Sequence, residues 1–186
     1  MAKEREKSVS RKMKQVFLVF CEGETEENYI NFLRREYKSP IKIVPKTEGT
    51  KISQHLINKC QKELQLSKND QITTFLMYDL DVAPVAEKLK SCKAIGLFSN
   101  PCIELWFLLH FKDQKNALTT KQCLQTLKNS HVDWNNYEKS LITEGQKKIL
   151  WENKSVAIKR AKKLAGKTNP SSSVYQLLEA IENFRK

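Results

Sequence analysis

The chain has 186 residues, 40% of them hydrophobic, and a formal net charge of +12. That length suffices for one well-buried domain, and no apolar run approaches the roughly 20 residues that a bilayer span needs. The N-terminus is charged and lacks an apolar stretch of the secretory kind, so a cytoplasmic protein without membrane contact is expected.

The charge is unevenly spread. Residues 1–15 carry six basic and two acidic side chains, and residues 139–167 carry nine basic and two acidic, so the middle of the chain is nearly neutral. Basic ends imply an anionic polymer, DNA or RNA, as partner. Candidate phosphate contacts are Lys154, Lys159, Arg160, Lys162, Lys163 and Lys167, together with Lys46 and Lys51 in a loop before a helix. The five cysteines are odd in number and have no C-x-x-C spacing, which reads as reduced thiols rather than a zinc site. With only five glycines there is no phosphate-binding G-x-x-x-x-G-K-S/T loop, so any ATP hydrolysis would need a separate ATPase partner.

In chain order, residues 1–14 read as a basic flexible arm. Val16–Phe20 is an apolar run of the kind buried on both faces of a parallel sheet. Thr25 is placed to cap the next helix, whose apolar positions are Tyr29, Ile30, Leu33 and Tyr37. Ile41–Val44 is a short strand, and Ile52, Leu56, Ile57, Cys60 and Leu64 mark a second helix. Ile72–Tyr78 is a third strand, Pro84 opens a short helix, and Lys93–Phe98 is a fourth strand. Ser99-Asn100-Pro101 reads as a helix start, with Pro101–Phe111 almost wholly apolar. This alternation predicts an α/β fold, a mostly parallel sheet of about four strands flanked by helices over residues 15–112. Residues 113–186 read as a helical extension packed on that core, with 129–145 unassigned.

The chemistry gathers at strand ends. Glu22 follows the first strand, and Asp79-Leu80-Asp81 follows the third. Open α/β sheets bind ligands at this carboxyl edge. Carboxylate oxygens suit a hard cation, Mg2+ or Mn2+, that orients water for phosphodiester cleavage. Glu26 lies one turn from Glu22 and either reaches a second metal or serves the helix dipole. Glu104 is the one charge in an apolar helix, where it either faces the metal site or pairs with a basic neighbour. His110 reads as a core histidine.

Strand-Glu22-Gly23, helix, strand-Asp79-Leu80-Asp81 resembles the Toprim domain of topoisomerases, bacterial primases and the overcoming-lysogenization-defect nucleases. More closely, FLVFCEGETEENY followed by SNPCIELWFLLHF resembles the RloB family, whose members are encoded near restriction and abortive-infection genes. The resemblance implies metal-binding and acid–base roles for Glu22, Asp79 and Asp81, raises Glu104, and implies phage defence. The chain departs from the pattern at Val82-Ala83-Pro84, where relatives often carry a further acid. A metal-dependent nuclease of DNA or RNA is therefore expected. The alternative is a non-catalytic nucleic-acid-binding or partner subunit of a defence complex.

Overall fold

A computed structural model describes residues 14–185 except 46, 48, 68, 81, 82, 165 and 167, with backbone only at 83–86. The N-terminal arm, Lys46, Asp81 and Lys167 thus lie outside the described residues. The elements follow as β1 (Gln15–Cys21), α1 (Glu24–Tyr37), β2 (Ile41–Val44), α2 (Gln54–Glu63), β3 (Gln71–Asp79), α3 (Ala83–Lys90) and β4 (Ile95–Asn100). Then come α4 (Glu104–Leu108), α5 (Thr120–Lys128), a 3-10 turn at Val132–Trp134, α6 (Glu144–Glu152), α7 (Lys154–Lys162), β5 (Ser171–Ser172) and α8 (Tyr175–Arg185). No described helix is long and apolar enough to cross a membrane.

The sheet has five strands in the order β2-β1-β3-β4-β5. The first four pair in parallel, as the alternation predicts, and β5 adds an antiparallel edge from the far end of the chain. Alternate residues face opposite layers. Phe17, Val19, Phe75, Met77 and Leu97 point into a large cluster with α1, α4 and the C-terminal helices. Leu18, Phe20, Leu76 and Tyr78 point into a smaller one with Ile52, Ile57 and Leu89. Both faces are covered, so each central strand is apolar throughout.

Two local expectations are corrected. Thr25 is not the cap of α1, which begins directly after Gly23. Nor does Ser99-Asn100-Pro101 start a long helix. Ser99 and Asn100 are the last residues of β4, paired with Ser172 and Ser171, and α4 spans only Glu104–Leu108. Ser173 fixes the strand there. Its N–H donates to the Phe98 carbonyl at 2.8 Å, and its hydroxyl accepts the Phe98 N–H at 2.8 Å. The Phe98 ring folds back over Gly96, where a Cβ would lie 2.1 Å from ring carbon Cε2, so any other residue there would force the ring to move.

Helix α4 is short but central. Its residues Glu104 to Leu108 are all buried. Trp106 donates its indole N–H to the Tyr29 hydroxyl at 2.7 Å. Phe107 packs against Tyr29, Trp134 and Tyr137, with ring centroids 5.4, 5.5 and 6.3 Å away. Large rings packed in this way contribute area burial plus about 0.5–1.5 kcal/mol per pair. They also fix the 3-10 turn and the residues after it against the carboxyl edge of the sheet.

Candidate active site

At the carboxyl end of β1 the Glu22 N–H donates to the Met77 carbonyl at 3.2 Å, which extends the β1–β3 ladder by one residue. Oε2 of Glu22 accepts the backbone N–H of Asp79 at 3.1 Å. Glu22 and Asp79 are therefore held side by side at the ends of adjacent parallel strands, both partly exposed. The loop after β2 closes beside them. Thr47 N–H donates to the Cys21 carbonyl at 2.9 Å, and the Tyr78 hydroxyl donates to the Thr47 carbonyl at 2.6 Å. Burial, then the charge of Glu22, pushes the Tyr78 phenol far up, so it stays a neutral donor.

Glu26 turns back on the start of α1. Its Oε2 accepts the Gly23 N–H at 3.1 Å, half of a capping box. A Cβ on residue 23 would lie 3.0 Å from that oxygen, so glycine permits the close approach. Glu26 is 6% exposed. Burial, followed by the charges of Glu104 and Glu22, raises its carboxyl from 4.5 to about 6.

Glu104, in the first turn of α4, is fully buried. Its Oε1 accepts the Tyr137 hydroxyl at 3.2 Å and lies 4.0 Å from the Lys139 ammonium. Its Oε2 is buried and has no hydrogen-bond partner among the described residues. Of the alternatives drawn from sequence, a basic neighbour is therefore present.

Lys139, part of the basic segment 139–167, joins this site. The segment 137–140 carries it to the edge and is latched to α1. Ser140 N–H donates to the Thr25 hydroxyl at 2.9 Å, and the Asn28 amide donates to the Ser140 carbonyl. Ser140 sits in the left-handed region at φ 72°, a conformation that costs energy outside glycine and that these bonds hold. Partial burial works against the Lys139 charge, but Glu104, Cys102, Asp79 and Glu26 outweigh it and hold the amine above its ordinary range. No local sequence signal marks Lys139, because it reaches the edge only through long-range packing.

The acids gathered here offer carboxylate oxygens, and that chemistry fits a hard divalent cation. The buried Glu104 Oε2, with no hydrogen-bond partner among the described residues, fits the same chemistry. Among the described residues no three of His, Cys, Asp or Glu form a group ready to hold a metal ion, and Asp81 lies outside them. His110 is a core residue. Its Nδ1 meets the Trp106 carbonyl at 2.9 Å, and burial lowers its pKa from 6.5 to about 4.

The basic candidates divide into two kinds. Lys159 and Lys163 are exposed on and just after α7, and Lys51 is exposed in the turn before α2. Arg160 instead donates to the Leu109 carbonyl at 2.8 Å and faces Asp113 at 3.5 Å. Lys162 pairs with Glu179, and Lys154 lies 4.0 Å above the Trp151 ring.

A parallel sheet with carboxylates on its leading edge defines an α/β protein with an acidic site. A family model described as RloB-like protein matches residues 17–181, which takes in all four parallel strands except the first two residues of β1. The chain belongs to the RloB-like family. No curated protein and no solved structure matches it.

Proposed function

We propose that this chain is a divalent-metal-dependent nuclease of the Toprim type, cleaving phosphodiester bonds of DNA or RNA in the cytoplasm as part of phage defence. The observation that carries this reading is the 3.1 Å bond from Asp79 N–H to Glu22 Oε2, which anchors the Glu22 carboxylate to the backbone of a second acidic residue where parallel sheets bind ligands. Glu22 and Asp79, with Asp81 and Glu26, would hold Mg2+ or Mn2+. Such an ion, when bound, neutralises phosphate charge and lowers the pKa of water.

The chain's own residues supply the rest. Glu22, anchored through Oε2 to the Asp79 amide, is the acid that would hold the ion or move a proton. Buried Glu104 and Glu26 set the negative field that favours a cation there. The exposed Lys159 and Lys163 hold the phosphate backbone without reading bases. A separate ATPase would supply any nucleotide-driven step.

The test is cleavage of plasmid DNA and of structured RNA across an Mg2+ and Mn2+ titration, beside a folded Asp79→Asn variant. Metal-dependent cleavage lost in Asp79→Asn is expected. Binding without cleavage at any metal concentration would make the chain a non-catalytic nucleic-acid-binding subunit.

A further inference from the structure

The carboxylate edge already has a cation, and it comes from the other end of the chain. Lys139 Nζ lies 4.0 Å from Oε1 of Glu104, which is fully buried and also accepts the Tyr137 hydroxyl. Asp79 and Glu26 add to the field that holds the Lys139 charge. Three further bonds keep the segment in place: Tyr137 hydroxyl to Glu104, Ser140 N–H to Thr25, and Asn28 amide to the Ser140 carbonyl. Its backbone is in the left-handed region at Ser140. A surface lysine needs no such scaffold. The Lys139 side chain is 54% exposed, so its ammonium can leave Glu104 without unfolding the segment.

We propose that Lys139 is the resident counter-cation of the carboxylate edge, neutralising Glu104 in the metal-free protein and competing with an incoming divalent ion, so that it sets metal affinity. This rests on the metal-site reading above. The physical basis is Coulombic. Clustered carboxylates in a partly desolvated edge repel one another, and any cation among them relieves the repulsion. A tethered ammonium does so at high effective concentration, and a second cation entering the same field then gains less.

Two measurements test it. The first is a metal-free thermal double-mutant cycle of Lys139→Gln and Glu104→Gln. Lys139→Gln alone should lower the melting midpoint by about 2–4 °C, because a buried charge loses its partner. In the Glu104→Gln background that cost should vanish. The same cost in both backgrounds would make Lys139 a prop for the segment and overturn the proposal. The second is Mn2+ binding by calorimetry. Lys139→Gln should bind about fivefold more tightly than wild type, and Lys139→Arg should return to wild-type affinity. Equal affinity in wild type and Lys139→Gln would overturn the competition. A wild type that binds no Mn2+ would instead sink the nuclease reading, and the cycle alone would then decide whether Lys139 is the counter-cation.

Discussion

Tyr137 and Glu104 are joined by a hydrogen bond of 3.2 Å between side chains that are both essentially buried. The bond ties the C-terminal part of the chain to the acid in the first turn of α4. Glu104→Gln keeps the acceptor for Tyr137 and deletes a buried charge, so stability should change by less than about 1 kcal/mol while cleavage is lost. Tyr137→Phe should do the reverse, costing about 1.5–3 kcal/mol with cleavage only reduced. Urea unfolding beside a nuclease assay separates the two. A Glu104→Gln protein that loses fold and cleavage in proportion would make this acid structural.

Metal should stabilise the fold. At a concentration 100 times its Kd, one ion contributes about 2.7 kcal/mol, a midpoint rise of about 5–10 °C for a chain this long. Asp79→Asn with Asp81→Asn should be at least as stable as wild type without metal, since mutual repulsion is removed, and should show no rise with Mg2+ or Mn2+. A wild type indifferent to both ions, paired with a destabilised double variant, refutes the metal site.

His110 should make the fold acid-sensitive. Its folded pKa, lowered by burial from 6.5 to about 4, lies below that of the unfolded chain. The unfolded state therefore takes up the proton first as pH falls. Stability is intact above 6.5 and declines as pH drops through 4, by up to about 3 kcal/mol. His110→Phe removes this decline, and the gap between variant and wild type should widen on acidification in guanidinium unfolding.

Glu26 works in the opposite sense. Burial and neighbouring acids raise it from 4.5 to about 6, so the folded state holds its proton more tightly than the unfolded chain does. Its favourable contribution is present below 4.5 and fades as pH rises through 6, a span of about 2 kcal/mol. Metal-free Glu26→Gln should therefore be more stable than wild type at pH 7 and no different at pH 4. The His110 effect is the larger, so acid should still destabilise the wild type on balance.

Nucleic-acid affinity should depend on Lys159 and Lys163 through charge alone. Replacing both by alanine should weaken binding to all sequences alike and flatten the logarithmic salt slope by about 2. Arg160→Ala should instead lower stability, because its guanidinium serves the Leu109 carbonyl and Asp113. An unchanged salt slope in the double lysine variant would leave that face merely solvated.

What was legible in the sequence was what neighbouring residues decide. The four parallel strands follow from apolar runs, and Glu22 and Asp79 from the residues that end them. Glu104 stood out because a lone charge in an apolar helix needs a reason. The misreadings have a common physical source. Ser99 and Asn100 carry helix-start chemistry, yet Ser171–Ser173 compete for the same backbone from more than 70 positions away and win. Thr25 has a good capping side chain, but its hydroxyl is taken by Ser140. Lys139 was invisible for the same reason, since contacts distant in sequence bring it to the edge: Phe107 on Trp134 and Tyr137, and Ser140 on Thr25 and Asn28.

The antiparallel β5 strand bears on how the polypeptide can be divided. Its two residues close the sheet beside β4, and Trp134 and Tyr137 seal α4 from above. A fragment ending near residue 112 would carry all the acids of the site but present a raw sheet margin and bare aromatic rings to water, and it should aggregate. Cleaving the exposed connection at residues 115–117 with both pieces present is a different matter. The pieces share one apolar interior and should stay interlocked, so a nicked or co-expressed two-piece form is expected to reassemble with its acidic edge intact.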